Sequence, residues 1–141
     1  MKRIRRIVSM LSAVVLIFVL GVFSASAANI EIMPMSDYTL INTSICYKSG
    51  TGSVTYGCRL QGNSTRVGKI SYTCQLQIKD GAWTDVKGEK FSNTDTGYIY
   101  EVDTVSGTKG EMYRCETTVT IYNTSGAVLE RFINYSAGIS L

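Results

Sequence analysis

The feature that most restricts how this chain can fold is a strict two-residue alternation. From 69 to 79, Ile70, Tyr72, Cys74, Leu76 and Ile78 fall on one side of an extended backbone. Lys69, Ser71, Thr73, Gln75, Gln77 and Lys79 fall on the other. Successive side chains of a strand point to opposite faces, so this pattern reads as a strand with one face buried and one in water. Residues 112–122 repeat it, with Tyr113, Cys115, Thr117, Val119 and Ile121 opposite Arg114, Glu116, Thr118 and Thr120. Residues 53–60 again collect Val54, Tyr56, Cys58 and Leu60 on one side.

Turn chemistry separates these runs. Ser49-Gly50-Thr51-Gly52, Gly62-Asn63-Ser64, Asp80-Gly81, Ser106-Gly107 and Asn123-Thr124-Ser125-Gly126 are clusters of the residues that close hairpins. Strands are therefore expected at 38–47, 53–61, 67–79, 83–89, 97–104, 111–122 and 127–139. No stretch beyond residue 27 sustains a helical period. The expected fold is all-β: an antiparallel β-sandwich of about seven strands, with a small β-barrel as the alternative.

The N-terminus reads differently. Lys2, Arg3, Arg5 and Arg6 precede an almost wholly apolar run from Ile7 to Phe23, and Ala25-Ser26-Ala27 follows. A basic head, a short apolar run and a small-x-small site make a secretory signal peptide, and the run is too short for an ordinary membrane span. Residues 1–27 are thus expected to be removed, 28–36 to form a flexible arm, and 37–141 to form the β-domain. The protein is expected to be secreted through the general export route, with no stable membrane insertion after cleavage.

Charge has to be recounted accordingly. The whole chain carries +3, with 14 basic and 11 acidic residues. Four basic residues lie in the signal, so the exported part has ten against eleven and a net charge of −1. Such a surface has no long-range attraction for polyanions, and no nucleic-acid partner is expected. The chain has no histidine. That removes the usual general base, the Ser-His and Cys-His nucleophile pairs and most zinc sites, so neither an enzyme nor a cofactor is expected.

Cys46, Cys58, Cys74 and Cys115 all lie in the exported part. Four cysteines in an oxidising compartment read as two disulfides, with three possible connectivities. Cys74 and Cys115 share the apolar faces of their strands, and Cys46 and Cys58 are equidistant from Gly52. The expected pairs are Cys46–Cys58 and Cys74–Cys115, the second closing a long loop at a gain of about 3–4 kcal/mol. Gaps of 12, 16 and 41 residues contain no metal-binding knuckle.

Cys74, Trp83 and the pair Tyr113-x-Cys115 follow the order that an immunoglobulin domain uses, so the chain resembles that architecture loosely. The interval from Cys74 to Trp83 is too short for a true member. Asp80-Gly81-Ala82-Trp83, Tyr113-Arg114 and Gly126-Ala127-Val128-Leu129-Glu130 are also similar to motifs of small exported single-domain β-proteins from Gram-positive Firmicutes. That resemblance spans roughly residues 67–141 and implies no known activity.

Candidate ligand-binding residues are aromatic: Trp83 beside its turn, and Tyr98 and Tyr100 on one strand face. Anchoring of a hairpin is the simpler account of Trp83, and strand propensity of the tyrosines. Glu101 and Asp103 share a face and could serve glycoside hydrolysis or calcium, but acidic pairs on a wet strand are commoner. The expected function is a non-enzymatic exported module that binds an extracellular glycan or protein. A small secreted effector, such as a bacteriocin-like toxin or an enzyme inhibitor, is the alternative.

Overall fold

The computed structural model describes residues 36–141. The expected signal peptide, and the arm apart from Ser36, lie outside them. Ser36, the first described residue, accepts from the Tyr38 and Thr39 amides, both at 3.2 Å, which turns the backbone into the first strand.

Every described element is a strand, joined by turns. In chain order they are β1 (Thr39–Gly50), β2 (Ser53–Gly62), β3 (Lys69–Asp80), β4 (Ala82–Asp95), β5 (Tyr98–Ser106), β6 (Met112–Tyr122), β7 (Val128–Tyr135) and β8 (Ile139–Ser140). They form two antiparallel sheets, one ordered β1-β2-β5 and the other β4-β3-β6-β7, with the short β8 pairing β6 beyond the end of β7. The β1–β2 and β3–β4 hairpins close at Gly52 and Gly81, whose φ values of 77° and 67° suit glycine.

The alternating rows make the core. Val54, Tyr56, Cys58 and Leu60 of β2, Ile70, Tyr72, Cys74 and Leu76 of β3, and Tyr113, Cys115, Val119 and Ile121 of β6 are all buried. Polar contacts cross the gap between the sheets as well. Ser44 Oγ of β1 donates to Thr117 Oγ1 of β6 at 2.7 Å, and the Cys115 thiol donates to the Gly57 carbonyl at 3.4 Å. Tyr72 OH of β3 donates to Glu101 of β5. The rings of Tyr56 and Phe91, one on each sheet, have centroids 5.6 Å apart.

Gly57 shows how closely β2 and β5 approach. A Cβ there would overlap the Glu101 carbonyl oxygen and the Val102 Cα. A glycine inside a strand ordinarily costs about 0.5–1 kcal/mol relative to alanine, and this approach permits nothing larger.

All seven expected strands are present, with two revisions. The fourth does not stop at 89 but runs to Asp95 after a bulge, where the register jumps from Gln75↔Lys90 to Gln77↔Asp85. Gln75 fills that bulge, its Nε2 donating to the Val86 and Glu89 carbonyls at 3.1 Å. The last expected strand splits, because Ser136 turns inward and its hydroxyl accepts from the Cys115 amide at 2.8 Å.

Several core groups resist ionisation, Cys46, Tyr56 and Tyr72 among them. Burial pushes the Cys46 thiol up from 9.0 to about 12, and the nearby Cys115 adds to the effect. Burial also raises the Tyr56 hydroxyl, helped by Asp103 and Glu89, and the Tyr72 hydroxyl, helped by its hydrogen bond to Glu101. Groups whose folded pKa exceeds the unfolded value stabilise fully below the unfolded pKa and lose that contribution as pH rises toward the folded one. The urea midpoint, measured under reducing conditions, should therefore hold from pH 7.5 to about 9 and then fall steadily toward pH 12. A midpoint unchanged to pH 11.5 would contradict the burial of these groups.

Candidate functional site

The four cysteines converge in the core but form no disulfide. All are buried free thiols, too far apart for a bond. Both expected pairings fail on register. The turn at Thr51-Gly52 is preceded by a bulge between Lys48 and Gly50, so Cys46 faces Tyr56 while Ser44 faces Cys58. On the other sheet Leu76 faces Cys115 and Cys74 faces Thr117. Each expected pair thus sits on a diagonal, where spacings of about 7–8 Å exceed the usual disulfide range.

Thr117 binds the cluster instead, its Oγ1 lying 3.8 Å from the Cys74 sulfur and 3.7 Å from that of Cys115. Cys115 is pushed well above the ordinary thiol range, first by its contact with Cys74 and then by burial. Cys115 draws Cys74 down, yet Cys58 and burial outweigh it and the net shift is upward. Raised thiols hold little thiolate and are chemically inert.

Trp83 lies on the outer face of the four-stranded sheet, away from the core that an immunoglobulin tryptophan would occupy. Its ring faces the Arg114 guanidinium at 4.4 Å, and the same guanidinium lies 4.1 Å from the Tyr135 ring. Arg114 Nε donates to Gln77 Oε1 at 2.8 Å, while Gln77 Nε2 donates to Asp85 at 2.9 Å and to Glu116 at 3.2 Å. The indole edge fits against Gly138, where a Cβ would come within 3.3 Å of it. Trp83 therefore ties the β3–β4 hairpin to β6 and the chain leading into β8. Its ring face is engaged with a cation of its own chain.

Tyr98 and Tyr100 stand on the outer face of the other sheet, 51% and 55% exposed. They are not brought together with Trp83. Arg59 pairs in register with Tyr100, and its guanidinium reaches along the sheet to lie 5.5 Å from the Tyr98 ring. Sequence reading missed Arg59 because an arginine on the wet face of β2 carries no signal until its neighbours across the sheet are known. It holds the only charge among the outward side chains of β1, β2 and β5.

Glu101 and Asp103 do share a side of β5, as the alternation implies. Glu101 accepts from Tyr72, while Asp103 Oδ1 accepts from the Thr104 amide at 2.7 Å. Among the described residues no group of three His, Cys, Asp or Glu is placed to hold a metal ion.

A shallow cleft of about 440 Å³ occupies the other end of the four-stranded sheet's outer face. Ser71 of β3 pairs in register with Thr94 and Thr120, and Thr73 pairs with Ser92 and Thr118, giving two ranks of three hydroxyls. This cleft was not legible in the sequence, because β4 had been expected to end before Ser92. No family model, curated protein or solved structure matches this chain.

The core thiols are directly countable. Native protein at pH 8 should give essentially no reaction with an aromatic disulfide reagent, and all four cysteines should react once the chain is denatured without reductant. Two or fewer reactive thiols after denaturation would contradict the arrangement.

Proposed function

We propose that this is an exported, non-enzymatic binding module with an immunoglobulin-like sandwich fold, whose outer β1-β2-β5 face engages a carboxylate-bearing protein. The sheet orders support the fold reading. With β1, β2, β3, β5, β6 and β7 as strands A, B, C, E, F and G, the sheets are A-B-E and C-F-G, and β4 extends the second beside C. Tyr113 supports it too. It lies near the start of β6, two residues before Cys115, and its hydroxyl accepts from the Thr108 amide at 2.8 Å, as a tyrosine corner does. In this frame the thiols at the B and F positions are Cys58 and Cys115, so Cys58 takes the place that spacing had given to Cys74.

The observation that carries the binding reading is the Tyr98–Arg59–Tyr100 group. Tyrosine and arginine are the residues that most often dominate interface energetics. Here Arg59 lies with its guanidinium against the Tyr98 ring and is paired in register with Tyr100, both rings half-exposed, on a face whose other outward residues include Ile45, Tyr47 and Val102. A planar guanidinium beside rings suits a carboxylate, which it can bind through two parallel hydrogen bonds. The residues sit on paired strands, so little ordering entropy opposes binding. The histidine-free sequence and the engagement of Glu101 with Tyr72 support a non-enzymatic role.

Immobilised protein should capture an extracellular protein, and Arg59→Ala or Tyr100→Ala should each weaken capture by about 2 kcal/mol without lowering thermal stability. Capture that these variants leave intact would overturn the reading, as would turnover of a substrate with no capture at all.

A further inference from the structure

A second surface, on the opposite sheet and independent of the tyrosine face, has the chemistry of a different ligand. The cleft over β4, β3 and β6 is lined by eight residues, of which none is charged. Its floor is the two ranks of hydroxyls. Ser71 and Thr94 hydrogen-bond each other at 2.8 Å, and Thr73 and Ser92 at 2.7 Å. Thr118 and Thr120 have no side-chain hydrogen bond among the described residues, so their hydroxyls keep both a donor and two acceptor sites.

We propose that this cleft binds a neutral polysaccharide segment laid across the strands. The lining itself carries no charge, and the cation nearest in register, Arg131 opposite Thr120, stands at its edge on β7, so the contacts within the cleft are to neutral hydroxyls. Tyr72, the aromatic residue of the lining, belongs to the core and spends its hydroxyl on Glu101, so the cleft presents no exposed aromatic of the kind that anchors protein interfaces. Sugar hydroxyls both donate and accept, as do those of the six side chains, and threonine methyls between them can meet sugar C–H faces. Strand spacing sets the backbones of each rank about 4.8 Å apart across the sheet and the two ranks about 6.8 Å apart along it, with the β3 and β4 hydroxyls drawn together by their hydrogen bonds. That repeat is rigid and suits a ligand that repeats its own hydroxyls, in preference to a single sugar.

Amide chemical-shift titration with maltohexaose, cellohexaose and chitohexaose, and with polygalacturonate as a charged comparator, tests the proposal. At least one neutral hexasaccharide should shift the amides of Ser71, Thr73, Thr118 and Thr120. Thr118→Val and Thr120→Val should each weaken that binding by about tenfold, Thr120→Ser should restore it, and Tyr100→Ala should leave it unchanged. Unaltered melting temperatures will show that the valine variants are folded. The proposal is overturned if no neutral hexasaccharide shifts these amides, if only polygalacturonate does, if the shifts gather at Tyr98 and Tyr100, or if the valine variants bind like the parent. Failure at the cleft leaves protein capture by the Arg59 face intact, and failure of that capture leaves the cleft intact.

Discussion

The pairing of β3 with β6 is the interaction on which the rest depends. It runs without a register break from Lys69↔Tyr122 to Ile78↔Tyr113. Because side chains alternate, that one register fixes both faces at once. Inward it stacks Ile70 against Ile121 and Tyr72 against Val119, and places Cys74 opposite Thr117. Outward it aligns Ser71 with Thr120, Thr73 with Thr118 and Gln77 with Arg114. A one-residue slip would turn the apolar row to water and scatter the hydroxyl ranks together.

The other strands are less regular. The β1–β2 pairing is shifted at both ends, β4 bulges opposite Leu76, and β7 shifts beside Tyr122. Those irregularities tune the edges. The β4 bulge gives Gln75 three carbonyl partners, and the Ser49 bulge moves Cys46 out of line with Cys58. The buried polar contacts Ser44–Thr117 and Tyr72–Glu101 then fasten the two sheets where apolar packing alone would be indifferent to position.

Much of the fold was legible because β2, β3 and β6 are buried on one face and wet on the other, which prints the strand period directly on the sequence. What was not legible depends on register. Symmetry of Cys46 and Cys58 about Gly52 ignored a bulge that no residue type announces. Residues 90–95 are almost wholly polar and hid the second half of β4, and with it the Ser92 and Thr94 members of the hydroxyl ranks. Of the candidate ligand residues, Trp83 is engaged with Arg114, while Tyr98 and Tyr100 are exposed beside an arginine that lies some forty residues earlier in the chain. Spatial neighbours of that separation carry no local pattern.

With one ligand face on each sheet, the proposed module could hold a protein partner and a glycan on opposite sides of one core. The hydroxyl cleft is built on β3 and β6 directly, and the core on which the β1-β2-β5 sheet packs is set by the same pairing. Residue-resolved native-state hydrogen exchange tests that dependence most directly. The slowest amides should lie in 70–76 and 115–121, exchanging only through global unfolding, with β7 and the second half of β4 opening sooner. If amides of β7 or β4 outlast those of β3 and β6, the β3–β6 register is not the element that holds the structure.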